Sequence, residues 1–274
     1  MTQTTGTTTT VRSILERACS DYETIDADTV DDLVDAAERN LYAGAPREEV
    51  YEAIVHVTTA RIERDPAFKR VAAAVVRQRY FADRLGTDVV DAGPDSEAFQ
   101  DAYRDAVVDG IEYGVAEEEL DERLLERFDV EALAEDTVEP ARDEKFDYMA
   151  MSTLEQRYFL RAADEEPFEL PQGFWLRIAM GLAVEEDDPM ARAREFYEVL
   201  STLRFTPSTP TLFHAGTTHP QLSSCYVTTV PDDLGGIFDA YKHHAQLSKW
   251  SGGLGNDWTN LRASGSLIES TGVE

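Results

Sequence analysis

The chain has 274 residues, 54 acidic against 25 basic side chains, and a formal net charge of −29. Lysine occurs only at Lys69, Lys145, Lys242 and Lys249, so arginine carries most of the positive charge. A generic nucleic-acid binder, like a protein of anionic membrane surfaces, works through a basic field, and this composition excludes both partners.

The length permits one or two domains with a core of useful size, and a hydrophobic content of 42% rules out wholesale disorder. No apolar run is long enough to span a bilayer, and the N-terminus has neither the basic nor the apolar region of a secretory signal. Two cysteines, Cys19 and Cys225, cannot build a disulfide framework, so the expected location is cytoplasmic and reducing. Carboxylates in every segment with scarce lysine resemble proteins of salt-loving organisms, where salt screens self-repulsion.

The first ten residues are Thr-rich and read as a disordered leader, followed by a short helix from Val11 to Ala18. Asp28 or Thr29 caps a helix carrying Val30, Leu33, Val34, Ala37 and Leu41, which Gly44 and Pro46 end. Pro46 starts the next helix (Val50, Ile54, Val57), and Asp65-Pro66 starts a third, running to about Leu85. Residues 87–96 form a break. Helices then follow at about Ser96 to Tyr113, Ala116 to Phe128 and Val130 to Glu135, with a charged connection from Pro140 to Glu144. Leu154, Tyr158 and Phe159 give a helical face. Pro171 and Pro189 open two further helices, the first carrying Phe174, Trp175 and Ile178.

The texture changes near Phe205. Residues 206–236 are rich in Pro, Gly, Ser and Thr, with a strand expected over Ser224 to Val230. Ile237 to Lys249 returns to helical spacing, Ser251 to Asn256 reads as a glycine-rich turn, and Asp257 to Arg262 as a short strand. A strand–helix–strand unit implies parallel pairing, and one such unit cannot cover both faces of a sheet. The region therefore reads as the start of a larger α/β domain.

Four groups there can carry chemistry: Ser208-Thr209, Ser223-Ser224-Cys225, Asp232-Asp233-Leu234, and Gly252 to Asn256. Hydroxyls and backbone N–H groups at glycines hold phosphates without lysine. The same residues also dominate ordinary turns, and each group taken alone reads first as a structural turn. Cys225 is a redox candidate or a buried structural thiol, whereas Cys19 reads as a plain helix residue. His56, His214, His219, His243 and His244 show no metal-ligand spacing, so no metal site is assigned.

The stretch PQLSSCYVTTVPDDLGGIFDAYKHHAQLSKWSGGLGNDWTNLRASGS (220–266) resembles the large, catalytic subunit of class I ribonucleotide reductase. So do STPTLFHAGT (208–217), FDYMAMSTLEQRYFLR (146–161), PQGFWLRIAMGLA (171–183) and the helices of 26–76. The resemblance implies an α-helical N-terminal domain followed by the start of a ten-stranded α/β barrel. It divides the chain into the leader and short helix (1–25), a cone-like or linker region (26–90), the all-α domain (91–205) and the first part of the barrel (206–274).

The implied activity is reduction of ribonucleoside diphosphates to deoxyribonucleotides for DNA synthesis. Thr209, Ser224, Cys225 and Gly253 would contact substrate. A thiyl radical takes the 3′ hydrogen, the 2′ hydroxyl leaves as water, and Cys225 with a partner cysteine is oxidised to a disulfide. Thioredoxin or glutaredoxin restores the dithiol by exchange. Asp232, Asp233, Leu234 and Arg262 would hold a deoxynucleoside triphosphate or ATP effector at the interface of a homodimer of large subunits. Glu269 stands where the family often carries a further basic residue. No cofactor is expected on this chain itself, since a small (beta) subunit carries the dinuclear metal and radical cofactor.

The family's radical cysteine, the partner of Cys225 and the stacked tyrosines of the radical path are absent from these residues, as is the VxKRDG strand of a regulatory ATP cone. The sequence therefore reads as an N-terminal part, inactive alone, from a gene truncated, frameshifted or intein-interrupted after Glu274. The alternatives are a fragment of the adenosylcobalamin-dependent class, which shares the barrel, and a nucleotide-binding regulatory module without catalysis.

Overall fold

The computed structural model describes residues 2–20, 22, 24–249 and 252–268, with side chains described from residue 10 onward. Helix α1 (Thr2–Cys19) is longer than expected, because it continues through the leader. Its docked turns at Val11, Ile14, Leu15 and Ala18 are buried. Extending an existing helix costs far less than nucleating one, so the Thr-rich residues can follow. Helix α2 (Ala27–Glu38) starts slightly before the expected cap, with Asp26 Oδ1 accepting from the Thr29 N–H at 2.8 Å. Helices α3 (Arg47–Thr59) and α4 (Phe68–Leu85) complete a first core around Leu33, Tyr51, Ile54 and Val71.

The long helix α4 belongs to two cores. Its Val71 and Val75 pack in the first, and its Val76, Tyr80 and Phe81 in the second. The break at 87–96 is therefore not where packing divides. It contains a short helix α5 (Thr87–Asp91), whose Val90 is buried in the second core.

Helix α6 (Glu97–Ala116) begins at the Ser96 cap, as the spacing predicts. The helix expected from Ala116 to Phe128 shrinks to one turn, α7 (Arg123–Glu126). Glu118 has a φ of 61°, which ends α6, and Leu120 instead packs on Gly114 and pairs with Thr217. Helix α8 (Val130–Thr137) follows, then a 3-10 turn over Pro140–Lys145 in place of the charged connection. Helix α9 (Tyr148–Thr153) passes into a π turn, Leu154–Tyr158. Helices α10 (Pro171–Ala183) and α11 (Pro189–Ser201) pack against each other, and Phe174, Trp175, Ile178, Tyr197 and Leu200 fill the second core.

The region after Phe205 holds a helix that the sequence did not announce, α12 (Thr209–His214). Strand β1 (Cys225–Thr229) and helix α13 (Leu234–Lys249) lie where expected. Strand β2 is a correction: it is the glycine-rich Gly253–Asp257, not Asp257 to Arg262. Parallel pairing with β1 decides this, because the backbone ladder supplies what the glycine side chains cannot. The fold is thus a helical domain followed by a parallel strand–helix–strand unit. Among the described residues no helix is long and apolar enough to cross a membrane.

Candidate functional site

The register of the two strands sets the first half of the site. Cys225 pairs with Gly253, Val227 with Gly255 and Thr229 with Asp257. Side chains alternate along a strand, so these residues share one face, and Tyr226, Leu254, Thr228 and Asn256 share the other. The second face carries the helix: Thr228 Oγ1 lies 2.6 Å from His244 Nε2 on α13 and 3.2 Å from Asn256 Oδ1. The first face is open. Cys225 is exposed, Val227 is 81% exposed, and the residues opposite them are glycines.

At the head of the pair, the Gly253 N–H donates to the Ser224 carbonyl at 2.7 Å, and Ser224 Oγ lies 3.6 Å from Cys225 Sγ. A Cβ at Gly253 would sit 3.7 Å from that sulfur and 3.2 Å from the Ser224 oxygen. Glycine keeps the space beside the thiol clear. Cys19, in contrast, is buried in the first core, and burial pushes its thiol up to about 11. Burial of this kind disfavours the reactive thiolate, in keeping with its reading as a plain helix residue.

The second half of the site is held from the helical domain. Arg177 is fully buried on α10. Its guanidinium pairs with Glu169 at 2.5 and 3.3 Å and donates to the carbonyls of Ala215 (2.6 Å) and Leu212 (3.2 Å). It thereby satisfies the C-terminal carbonyls of α12. Gly181 meets the same segment so closely that a Cβ would lie 2.1 Å from the Gly216 nitrogen. From α12, Thr211 Oγ1 donates to the Leu222 carbonyl at 3.0 Å, and His214 Nδ1 lies 3.0 Å from the Gln221 carbonyl. These bonds set α12 alongside the stretch of chain that enters Ser223-Ser224-Cys225. Thr209, at the start of α12, has its hydroxyl 3.2 Å from that of Tyr158.

Asp232 and Arg262 come together at the other end of β1 and β2. Arg262 Nε donates to both Asp232 carboxylate oxygens, at 3.1 and 2.9 Å, and its other nitrogens reach the carbonyls of Leu267 and Asp232. Asp233 acts within the fold, where its Oδ1 accepts from the Gly236 N–H at 2.7 Å and caps α13. Leu234, the first residue of α13, is 72% exposed. Glu269 and Ser251 lie outside the described residues. Among the described residues no group of three or more His, Cys, Asp or Glu side chains could hold a metal.

Residues 144–220 match the family model "Ribonucleotide reductase, all-alpha domain", and residues 223–274 match "Ribonucleotide reductase, barrel domain". The chain belongs to the ribonucleotide reductase large-subunit family. It is 41% identical over 258 residues to the ribonucleoside-diphosphate reductase subunit alpha of Chlamydia muridarum, covering 94% of this chain and 24% of that protein. The subunit alpha of Helicobacter pylori is 48% identical over 144 residues, 53% of this chain and 18% of its own length. The large chain of Cryptosporidium parvum is 41% identical over 132 residues, 48% of this chain and 16% of its own. The chain thus spans about a quarter or less of the curated relatives it matches.

The join between the two family domains falls at 220–223, after α12, although the composition changes at Phe205. The packing agrees with the join, because Leu212 and Ala215 belong to the second helical core. Sequence reasoning passed over Arg177, Glu169 and Gly181. A signal was present: PQGFWLRIAMGLA is apolar on all sides, so its one charge had to be buried and paired.

Proposed function

We propose that this chain is the N-terminal portion of a class I ribonucleoside-diphosphate reductase α subunit, reducing ribonucleoside diphosphates to deoxyribonucleotides. The observation that carries the reading is the head of the β1–β2 pair, where an exposed Cys225 thiol faces a glycine beside the Ser224 hydroxyl. Thr209 and Ser224 receive substrate phosphate through hydroxyls, which suits an enzyme with four lysines. The space above Gly253 admits the ribose next to the thiol.

Replacing a 2′ hydroxyl by hydrogen, with loss of water, consumes two electrons and two protons. A dithiol supplies both in becoming a disulfide, and Cys225 is one thiol of that pair. Cys19 is not the other, since it is buried in the first core. Exchange with the dithiol of thioredoxin or glutaredoxin then restores Cys225. The small subunit, with its dinuclear metal cofactor, supplies the radical when bound. Such dithiol chemistry belongs in a reducing cytoplasm.

In the same reading Asp232, Asp233, Leu234 and Arg262 bind a deoxynucleoside triphosphate or ATP effector between two large subunits. The exposed apolar stripe of α13, Leu234, Phe238 and Tyr241, supports a second copy there. In the reductase assembled with its small subunit, Cys225→Ser should abolish dithiol-dependent turnover while diphosphate affinity stays within about twofold. Unchanged turnover would overturn the assignment of Cys225. Turnover by residues 1–274 alone, given a small subunit and a dithiol, would overturn the reading of the chain as a portion.

A further inference from the structure

The π turn is the one irregular helical segment, among the described residues, that leads into the site. Its extra residue is marked by the Phe159 N–H donating to the Leu154 carbonyl at 3.0 Å, five residues back. Such turns re-aim side chains and recur at functional positions. Here the turn ends on Tyr158 and points it away from its own helix, at α12. The Tyr158 ring stacks on Phe213 at 4.7 Å with planes 10° apart, and meets the edge of Phe174 at 6.5 Å. Phe174 is fully buried and Phe213 sits on the helix clamped by Arg177, so the ring is fixed from two sides. Its hydroxyl then falls 3.2 Å from Thr209 Oγ1.

We propose that Tyr158 is a positioning residue for the phosphate contact of Thr209, holding the threonine hydroxyl turned as a donor toward a nucleoside diphosphate. This rests on the reading of Thr209 given under Proposed function. A threonine hydroxyl has one proton and spare lone pairs. When Tyr158 donates into a lone pair, the Thr209 proton is left for an anionic oxygen, and each bond of such a chain strengthens the next. At 3.2 Å the pair is slightly longer than the usual bond between two hydroxyls, so there is room for it to tighten once the phosphate arrives. The arrangement matters in a chain of charge −29, where the local donors must be aimed to hold an anion against the surrounding field.

The test is a double-mutant cycle in the assembled reductase, reading KM for the diphosphate separately from kcat. Tyr158→Phe keeps the ring stack and removes only the hydroxyl. It should raise KM about fivefold, the worth of one neutral hydrogen bond, with a smaller change in kcat and no loss of thermal stability. Thr209→Ala should raise KM at least as much, and adding Tyr158→Phe to it should do nothing further. If Thr209→Ala raises KM and Tyr158→Phe does not, Tyr158 is merely structural and this inference fails while the reading of Thr209 stands. If the two effects multiply, Tyr158 does not act through Thr209. If Thr209→Ala is silent, the reading of Thr209 fails and this inference with it.

Discussion

Two arginine–carboxylate pairs of similar geometry separate the helical domain from the strand–helix–strand unit. Arg177–Glu169 and Arg262–Asp232 each bring a guanidinium against both oxygens of one carboxylate. The first pair has side-chain exposures of 0% and 5%, the second of 34% and 33%. In the helical domain the pair is sealed inside and tied in further: Glu169 also accepts the Leu160 N–H at 2.8 Å, and its carbonyl accepts the Tyr80 hydroxyl. In the later unit the pair lies in water, on an element whose apolar residues Val227, Leu234 and Phe238 are themselves exposed. The helical domain therefore seals its charged pair among packed helices, whereas the later unit leaves both its charged pair and its apolar side chains accessible.

The largest effect is expected at the sealed pair, on Arg177. Arg177→Met leaves the Glu169 carboxylate buried and unpaired and frees the carbonyls of Leu212 and Ala215. The expected loss is about 3–5 kcal/mol, read as a fall in the denaturant midpoint. Adding Glu169→Leu should recover part of it, because an apolar pair of similar volume avoids the stranded charge. An Arg177→Met protein as stable as the original would mean that α12 is not held from the helical domain.

A second sealed group tests the same domain through pH. Asp143 is buried in the 3-10 turn, accepting from Tyr103 Oη and from Gln172 Nε2, both at 2.6 Å. Burial pushes its carboxyl up to about 7, against those bonds and the nearby Arg77, which pull it down, while Glu144 adds to the rise. The unfolded chain releases this proton near pH ~4, so the folded state binds it more tightly. Its contribution to stability is fully present below about pH 4 and is lost as pH rises through about 7. Between pH 5 and pH 8 this amounts to about 2–3 kcal/mol. Asp143→Asn should flatten that part of the stability–pH curve, and an unchanged slope would remove Asp143 as its source.

These two sites show which features a sequence displays. Helices α6, α10 and α11 were legible because Ser96, Pro171 and Pro189 mark their starts and apolar residues recur at helical spacing. Helix α12 was not, because its Thr and Pro residues favour turns and its anchor, Arg177, is distant in sequence. Strand β2 was hidden for the converse reason: four of its five residues, Gly253, Gly255, Asn256 and Asp257, disfavour strands until β1 pairs with them. Asp143 looked like part of a charged connection, since burial is not written in local composition. Thr209, Ser224 and Cys225 stood out as hydroxyls and a thiol in a stretch that reads as turns and one strand, and only the resemblance to a family gave them roles.

The smallest effect is expected at the more exposed pair, Asp232 with Arg262. Asp232→Asn removes the carboxylate facing Arg262 but leaves the guanidinium in water, with the Leu267 and Asp232 carbonyls still within reach. An exposed ion pair of this kind contributes about 0–1 kcal/mol, and salt screens even that. The denaturant midpoint should therefore shift by less than one-third of the Arg177→Met shift, and the difference should shrink further in molar salt. A larger loss would show that the second unit is as firmly built as the first. If the loss stays small, a guanidinium sits at the end of the strands with little energy tying it down, and an anionic ligand can draw it away from Asp232 at low cost.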